Sequence, residues 1–329
     1  MRPRGSPNPA QNALRIGVVI PCFRVREHIL GVLAAIPELV FAIYVVDDAC
    51  PEGSGVFVQS ACVDPRVRVV FNATNQGVGG AMVTGYEAAI ADNMDIVVKL
   101  DGDGQMNPAF IPILIRPIVN GRADYTKGTR FFSAGTLSEM PWPRLLGNAA
   151  LSFLNKATSG YWGVMDPTNG YTAIHAKILK IVPLARLEKR YFFESDMLFH
   201  CGIVRAVVTD VPMFARYGNE VSNLRIGHVL REFPPKIVVR VLKRFLYNYL
   251  LRDFNVGSIT TLLGLPLMLF GCIFGGITWL QNLHLGIATP TGTVALAAIP
   301  FMLGAQLLIA SVLFDVANQP REPIHPNLQ

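Results

Sequence analysis

Residues 254–314 contain no Asp, Glu, Lys or Arg, and this charge-free segment limits the fold more than any other part of the chain. A helix that crosses a bilayer needs about 20 apolar residues, so the segment has room for two such helices and a turn. We predict spans near 257–280 and 292–314, joined by the polar sequence QNLHLGIATPTG. Buried helices of a soluble core are the alternative, but such helices rarely lack charge over this length. Residues 254–329 are therefore predicted to form a transmembrane hairpin with a short tail.

The basic residues beside this hairpin predict its orientation. They flank both spans and are missing from the loop between them: Lys236, Arg240, Lys243, Arg244, Arg252 and Arg321. Because short loops rich in Lys and Arg stay in the cytoplasm, we expect both termini and the preceding domain there, in a multi-pass protein of the plasma (inner) membrane. The N-terminal sequence MRPRGSPNPAQNA lacks the apolar centre of a secretory signal, so residues 1–14 are predicted to be a disordered tail.

The segment directly before the hairpin, residues 230–253, separates apolar and basic side chains onto two helical faces. This pattern is typical of a helix that lies in the membrane interface, although a soluble amphipathic helix can share it. The formal net charge is +6, and much of the excess lies in this segment, so anionic lipid is a simpler partner than nucleic acid. Five cysteines without a CxxC pair fit a reducing compartment.

Residues 15–130 alternate short β-branched runs with segments of helical periodicity. The runs at 15–21, 42–48, 66–72 and 95–101 are apolar throughout most of their length, as strands buried on both faces are. This alternation predicts an α/β fold with a parallel sheet, in which ligands bind beyond the carboxyl ends of the strands. Several polar or turn-forming residues occupy those ends: Pro21, Asp47, Asp48, Asp101 and Asp103.

The sequence VVKLDGDGQMNP places three oxygen-bearing side chains at alternate positions after an apolar run: Asp101, Asp103 and Gln105. Oxygen ligands at this spacing suit a hard divalent cation that keeps positions open for substrate phosphates. An EF-hand is excluded because Met106 and Pro112 stand where that loop requires glycine and glutamate. A solvated glycine-rich turn is the remaining alternative, and the other strand-end residues argue against it.

Four segments in this order, VVIPCFRVREHI, IYVVDDACPEGSG, NQGVGGAMVTGYEAA and VVKLDGDGQMNP, resemble the glycosyltransferase family 2 domain. The resemblance covers about residues 15–215 and is strongest to the polyprenyl-phosphate sugar transferases. It implies a GT-A fold over residues 15–229, a nucleotide-diphosphate sugar donor, inversion at the anomeric carbon, and Mg²⁺ or Mn²⁺ as cofactor. With the segments above, the predicted fold class is an α/β GT-A domain, then a juxtamembrane amphipathic helix and two transmembrane helices.

The resemblance also implies roles for individual residues on the donor side. Pro21 and Glu27 would contact the nucleoside, with Phe23 at a position where the family usually has tyrosine. Asp48 would face the base, and Gly80 would lie in the donor site.

The metal and the reacting groups are assigned by the same resemblance. Asp101, Asp103 and Gln105 would hold the cation, with Asp101 also contacting the donor and Asp103 counted among the catalytic residues. A divalent cation stabilises the negative charge that develops on a diphosphate leaving group.

Three further residues are candidates for the catalytic site. Arg130 in KGTRF and Arg144 in MPWPRLLGN would lie near phosphate, and Asp196 in FFESDM matches an acidic active-site position. Two departures from the family weaken the match: FRVREH replaces YNExEN, and Thr172 stands where many polyprenyl-phosphate enzymes have an arginine.

These observations predict a membrane-anchored inverting glycosyltransferase that moves a sugar from its nucleotide donor to polyprenyl phosphate. Another lipid or lipid-linked hydroxyl acceptor is the alternative, with Asp196 as general base. A non-catalytic membrane partner that retains the fold is a further alternative, which the intact acidic residues disfavour. A dinucleotide site is discounted because GVGGAM lacks the required glycine spacing. A channel is discounted because the spans contain no charge. No nucleic-acid partner is expected, and homo-oligomerisation is left open.

Overall fold

The computed structural model describes residues 14–130, 142–213 and 226–328. In the helices that begin at residues 142 and 226, side chains are described from residues 151 and 233 onward. The predicted tail therefore lies outside the described residues except for Leu14.

Seven strands form one mixed sheet in the order β3-β2-β1-β4-β6-β5-β7. Their bounds are β1 Ile16–Cys22, β2 Ala42–Asp47, β3 Val67–Phe71, β4 Ile96–Lys99, β5 Tyr125–Thr129, β6 Thr172–His175 and β7 Val208–Pro212. Strands β1 to β4 pair in parallel, as their unbroken apolar runs predict. Strand β6 runs antiparallel to both β4 and β5. It starts at the edge where those neighbours end, so the wholly parallel sheet of the prediction is corrected to a mixed one.

Helices cover both faces of this sheet. Their bounds are α1 Ile29–Ala34, α2 Ser54–Ala61, α3 Val78–Ala91, α4 Ile111–Val119, α5 Trp142–Ser159, α6 Ala176–Ile181 and α7 Phe193–Val204. Helices α1, α2 and α4 supply one buried apolar cluster, through residues such as Leu33, Val58 and Leu114. Helices α3, α6 and α7 supply the cluster on the opposite face, with Tyr86 and Leu198 among its members. The sheet is thus buried on both faces, and its strand ends remain available for a ligand.

Two long apolar helices follow the α/β domain, α9 at Val256–Leu285 and α10 at Thr291–Ala317. Both are long and apolar enough to cross a membrane, and they contain the predicted spans 257–280 and 292–314. They pack closely because glycines face the partner helix. A Cβ added to Gly304 would lie 2.3 Å from the backbone nitrogen of Met268. The Asn255 side chain caps the start of α9 by accepting a hydrogen bond from the Ser258 amide.

The segment before the hairpin is not one regular helix. Helix α8 spans Ile226–Arg244 and continues as a π-helical segment, Phe245–Leu251. Three of its basic side chains turn toward the rest of the protein. Lys236 Nζ lies 2.8 Å from Glu188 Oε2, Arg240 Nε lies 2.5 Å from Asp196 Oδ1, and Arg244 pairs with Asp315 of α10.

The apolar side of this segment is exposed instead. Val238 and Leu242 are each 56% exposed, and Leu246 is 52% exposed. The sequence pattern of two faces is therefore present, but three of the basic residues contact carboxylates of the protein. The apolar residues are left facing outward, where a bilayer interface can cover them.

The chain returns to the α/β domain after α10. Asp124 is buried and accepts hydrogen bonds from the backbone nitrogens of Ile324 and His325 and lies 2.8 Å from His325 Nδ1. The His325 ring stacks on His175 with 4.3 Å between ring centroids. Both ends of the hairpin are thus held at the same domain.

Candidate active site

The carboxyl ends of β1, β2, β4 and β5 meet at one edge of the sheet. This edge brings together four residues that the sequence selected from separate segments, Pro21, Asp48, Asp101 and Arg130. Strand β6 begins at the same edge, so the loop before it, including Gly170, lies beside Asp101. The topology therefore creates a single site from residues far apart in the chain.

A buried lysine organises the centre of this edge. Lys99 is the last residue of β4 and is 2% exposed. Its Nζ lies 2.9 Å from Asp101 Oδ1 and 3.3 Å from Glu194 Oε1. Burial by itself would lower the pKa of Lys99, but the two carboxylates more than offset it and raise that pKa above its usual value. Lys99 is therefore a charged, buried group that holds Asp101 in place.

Gly170 keeps the space beside this cluster open. A Cβ at this position would lie 2.4 Å from Lys99 Nζ and 3.1 Å from Asp101 Oδ2. Any side chain here would displace the lysine or cover the carboxylate. The glycine thus leaves one oxygen of Asp101 accessible to a ligand.

The loop after β4 positions the other two predicted metal ligands. Asp103 Oδ1 accepts a hydrogen bond of 3.0 Å from the Gln105 backbone nitrogen, and Gly104 has a φ of +80° that favours glycine. Asp103 is half-buried and Gln105 is exposed.

The three predicted metal ligands suit a cation that is bound by the protein and by a substrate together. The described residues contain no group of three His, Cys, Asp or Glu side chains that could enclose a metal. A Mg²⁺-type ion bound by one or two carboxylates and by substrate phosphates needs no such group. The side-chain oxygens of Asp101, Asp103 and Gln105 therefore suit an ion that is also bound by substrate phosphates.

The Asp48 carboxylate forms hydrogen bonds with the loop that leads into α3. It is 3% exposed and accepts hydrogen bonds from Asn72 Nδ2 at 2.8 Å, Gln76 N at 2.9 Å and Gly77 N at 2.7 Å. Its neighbour Asp47 similarly accepts hydrogen bonds from the backbone nitrogens of Cys50, in the loop after β2, and Gly55, at the start of α2. The contact of Asp48 with a base stays a prediction, while its structural role is to shape the loop at the sheet edge.

Gly80 permits close packing at the start of α3. The backbone nitrogens of Gly79 and Gly80 both donate to the Lys189 carbonyl, at 2.8 and 3.2 Å. A Cβ on Gly80 would lie 2.3 Å from Gln76 Cβ. The amide of Gly80 is therefore occupied by a loop of the protein, and donor contact through this residue stays a prediction.

The remaining donor-side candidates lie in and after β1. Pro21 is half-buried in the strand, and Phe23 and Glu27 are exposed in the loop that follows. Arg24, at the first departure from the family pattern, has a φ of +58° and lies 3.8 Å from Glu52. The loop thus leaves Phe23 and Glu27 exposed, and the nucleoside contacts of Pro21, Phe23 and Glu27 stay predictions.

Arg130 and Lys127 bring positive charge to the same edge from β5. Arg130 Nε lies 2.8 Å from Oδ2 of the fully buried Asp166. Lys127 is fully buried and donates to the Asn169 carbonyl at 2.7 Å. Burial lowers the pKa of Lys127 to about 8, although Glu194 and Asp166 oppose the shift. The register pairs Thr172 with both Lys99 and Lys127, so two lysines flank the position where the resemblance implies an arginine.

Asp196 lies apart from this cluster. It is fully buried near the start of α7, accepts the Glu188 backbone nitrogen at 2.9 Å and pairs with Arg240 of α8. Glu194, two residues earlier on the same helix, is the carboxylate that reaches Lys99. Arg144 lies in α5, and its side chain is outside the described part of the chain.

Sequence reasoning missed Lys99, Lys127 and Glu194. A usable signal exists for the lysines, because each interrupts a strand that is otherwise buried, in VVKLD and YTKGT. A lysine in such a strand requires a carboxylate or carbonyl partner, since an unpaired buried charge is very costly. The identity of the partner Glu194 follows only from the packing of α7 against the sheet.

A family model described as "Glycosyl transferase family 2" matches residues 17–182, which include this edge. The chain belongs to glycosyltransferase family 2. It is 31% identical over 206 residues to an undecaprenyl-phosphate mannosyltransferase of Micrococcus luteus, covering 61% of this chain and 83% of that protein. It is 29% identical over 212 residues to a polyprenol monophosphomannose synthase of Mycolicibacterium smegmatis, covering 62% and 77%.

A third family 2 relative is named for a different sugar. The chain is 33% identical over 177 residues to a UDP-N-acetylglucosamine–dolichyl-phosphate N-acetylglucosaminyltransferase of Methanococcus voltae, covering 54% and 69%. Among solved structures, glucosyl-3-phosphoglycerate synthase of Mycobacterium tuberculosis with Mn²⁺ and UDP-glucose superposes with a TM-score of 0.53 at 21% identity, over 69% of this chain and 79% of that one. The predicted GT-A fold, followed by two apolar helices, is confirmed.

Proposed function

We propose that this glycosyltransferase moves a sugar, with inversion, from a nucleotide-diphosphate donor to polyprenyl phosphate at the cytoplasmic face of the membrane. The observation that carries the proposal is the Lys99–Asp101–Glu194 cluster at the carboxyl edge of a family 2 sheet, in a chain that continues into an apolar hairpin. The names of the three sequence relatives refer to undecaprenyl phosphate, polyprenol monophosphomannose and dolichyl phosphate, and this agreement supports the acceptor class.

A divalent cation fits this proposal. Asp101, Asp103 and Gln105 would hold Mg²⁺ or Mn²⁺, which neutralises charge on the donor diphosphate as the sugar is released. Solved structures of the M. tuberculosis synthase contain Mn²⁺ or Mg²⁺ together with UDP, which supports the same use here.

The protein's own residues orient and screen the reacting groups. Lys99 fixes one oxygen of Asp101, and Gly170 leaves the other oxygen approachable. Arg130 would lie near the donor diphosphate and the lipid phosphate, with the buried Lys127 behind it, and their positive charge would screen the two anionic groups. In the reaction an acceptor phosphate oxygen forms a bond to the anomeric carbon while the bond from that carbon to the donor diphosphate breaks.

No general base is required for this reaction, because a lipid phosphate is ionised at neutral pH. The position of Asp196 agrees with this, since its oxygens contact Arg240 and the Glu188 amide. A hydroxyl acceptor would need a free carboxylate at that place. The structure therefore favours a phosphate acceptor over the hydroxyl alternative.

The orientation of the hairpin supports a cytoplasmic site. Both hairpin ends lie at the α/β domain, through the hydrogen bond from Arg252, before α9, to the Ile203 carbonyl and through the contacts of Asp124 with Ile324 and His325 after α10. The flanking basic residues favour the cytoplasmic side for both ends. A sugar nucleotide would meet the acceptor headgroup on that side.

Transfer of radiolabelled sugar into membrane lipid tests the proposal. We expect Asp103→Ala to abolish transfer and metal-dependent nucleotide binding while leaving the fold intact, and Glu38→Gln, at an exposed carboxylate between α1 and β2, to leave both unchanged. Arg130→Gln should lower transfer more than it weakens binding of free nucleotide.

The chemical stability of the labelled product identifies the class of acceptor. A sugar–phosphate–lipid bond is cleaved by mild acid, so the labelled lipid should release its sugar under that treatment. An acid-stable product, together with loss of transfer in Asp196→Asn, would contradict the phosphate acceptor and identify a hydroxyl one.

A further inference from the structure

A polar cavity of about 140 Å³ lies where the hairpin meets the α/β domain. Its walls come from the ends of α5 and α7, the π-helical segment, and the two hairpin ends nearest the domain. Neither the Lys99 cluster nor the loop of Asp101 and Asp103 contributes to its lining. The proposed transfer reaction therefore makes no use of this cavity.

The cavity has an excess of positive charge. Three arginines, Arg205, Arg244 and Arg252, line it together with two carboxylates, Asp253 and Asp315. Asp315 is already shared, since it pairs with Arg244 and accepts hydrogen bonds from Trp162 Nε1 at 2.7 Å and from the Tyr249 hydroxyl. One positive charge remains without a counterion inside the cavity.

Arg205 and Arg252 supply this excess. Arg205 Nη2 donates to the carbonyl and side-chain oxygens of Asn318, at 3.2 and 3.4 Å, and Arg252 donates to the Ile203 carbonyl. Within the described ranges neither forms an ion pair with a carboxylate. Burial, followed by the charge of Arg205, lowers the pKa of Arg252, which shows that the two cations repel each other.

The backbone keeps Arg205 at an unfavourable position. It ends α7 with a φ of +58°, in the left-handed region where glycine is preferred. From this turn the Arg205 side chain reaches Asn318, directly after α10.

Two buried polar atoms in the cavity lack a hydrogen-bond partner among the residues that the structure describes. They are Nε of Arg244 and Oδ1 of Asn248. The oxygen and nitrogen of an Asn amide are interchangeable by rotation, so Asn248 can present a donor to the cavity. An anion would satisfy both groups, and a phosphate accepts several such hydrogen bonds at once.

The position of the cavity along the two long apolar helices is also defined. Arg252 precedes the start of α9 at Val256 by about one helical turn, and Asn318 directly follows the end of α10 at Ala317. Both helices begin or end where a bilayer changes from acyl chains to headgroups. The charged headgroup of a lipid in that leaflet is therefore the nearest source of phosphate.

We propose that this cavity binds the phosphate group of an anionic membrane lipid, at a site separate from the transfer site. Arg205, Arg252 and Nε of Arg244 are the donors. The bound lipid joins α7, the π-helical segment and both ends of the hairpin, and so fixes the catalytic domain on its membrane helices.

The test uses the full chain in phosphatidylcholine nanodiscs that lack polyprenyl phosphate, with and without phosphatidylglycerol. We expect phosphatidylglycerol to raise the thermal unfolding midpoint of the wild-type protein and to remain bound in native mass spectrometry. Arg205→Gln with Arg252→Gln should lose at least half of that shift and retain no anionic lipid. Asn248→Asp, which adds a carboxylate to the cavity without removing an arginine, should have the same effect.

Lys243→Gln is the matched control, because Lys243 is an exposed cation on the adjacent helix. It should respond to phosphatidylglycerol as the wild-type protein does. An equal loss in Lys243→Gln would show general surface electrostatics and overturn the site. Stabilisation of the detergent-solubilised protein by inorganic phosphate at the same concentrations would assign the cavity to a soluble anion and overturn the lipid.

Discussion

At the scale of single residues, the site depends on a lysine that the apolar strand pattern does not predict. Lys99 and Asp101 are two positions apart on β4 and its following loop, and Glu194 comes from α7. The two carboxylates offset the charge of Lys99, which would be costly to bury alone. The cluster therefore couples the orientation of Asp101 to the position of α7.

This coupling gives a prediction for Glu194→Gln. Lys99 would keep Asp101 as its only carboxylate and would draw it more strongly away from a ligand. We expect transfer to fall about tenfold or more, a loss near 1.4 kcal/mol in transition-state stabilisation. Steady-state transfer rates measure it, with nucleotide affinity as the second readout.

Glu87→Gln is the control, since Glu87 is exposed on α3. It should leave the rate unchanged. A Glu194→Gln enzyme with wild-type rate would show that Asp101 is positioned without Glu194.

At the scale of elements, α8 links the segment before the two long apolar helices to the candidate site. Its cations hold Glu188 and Asp196, which bracket the start of α7, while its apolar residues point outward. The Lys189 carbonyl, directly after Glu188, accepts hydrogen bonds from the Gly79 and Gly80 amides at the start of α3, next to the loop that Asp48 holds. A movement of α8 would therefore reach both the donor-side loop and the Lys99 cluster.

The Arg240–Asp196 pair predicts a large effect on stability. Arg240→Gln leaves a fully buried carboxylate without its cation, so the free energy of unfolding should fall by about 3–5 kcal/mol. Lys243→Gln, at the next exposed cation of the helix, should change it by less than about 0.5 kcal/mol. Chemical denaturation in detergent measures both, and equal small effects would mean that Asp196 finds another partner.

The exposed face of α8 predicts contact with acyl chains. A spin label at Leu242→Cys should be relaxed more by oxygen than by a water-soluble nickel complex, whereas a label at Glu87→Cys should show the reverse. Both labelled variants would be made in a protein in which Cys50, Cys62 and Cys272 are replaced by serine, so that the label reacts only with the introduced cysteine. Equal access of the nickel complex to both labels would contradict membrane contact of this face.

At the scale of the whole molecule, the chain after the hairpin holds the domain a second time. Asp124 binds Ile324 and His325, and the His325 ring covers His175. Burial, and then the neighbouring His325, lower the pKa of His175 to about 4. The His175 ring also accepts the Lys177 amide, which requires an unprotonated nitrogen.

This arrangement predicts a pH dependence of stability. Between pH 4 and 6.5 the unfolded chain binds a proton at His175 that the folded protein does not, so stability should decrease as the pH falls through this window. The contribution of His175 should be on the order of 2 kcal/mol. In His175→Asn, which keeps a capping acceptor but cannot titrate, the loss of unfolding free energy between pH 6.5 and pH 4 should be smaller by that amount.

Denaturation midpoints at pH 4.5 and 7 provide the measurement. His284→Asn, at an exposed histidine of α9, serves as control and should keep the wild-type slope. An unchanged slope in His175→Asn would show that other groups, such as His200, account for the acid sensitivity.

Much of this protein could be predicted from local sequence. The four apolar runs correspond to β1 to β4, and residues 254–314 correspond to the two long helices, because burial on both faces and length without charge each leave a direct pattern. Asp101 and Asp103 could be selected for the same reason, since they follow a buried strand whose end must lie at a sheet edge.

Only the tertiary structure decided which charges meet. The antiparallel entry of β6 placed Gly170 and Thr172 beside Lys99, and the packing of α7 brought in Glu194 rather than Asp196. In the same way, the helical pattern of α8 separated its two faces, but carboxylates on α7 and α10 determined that the basic face turned inward. Ion pairs form between segments that are distant in the chain. A sequence pattern shows which residues are charged, but it does not show which of them will come into contact.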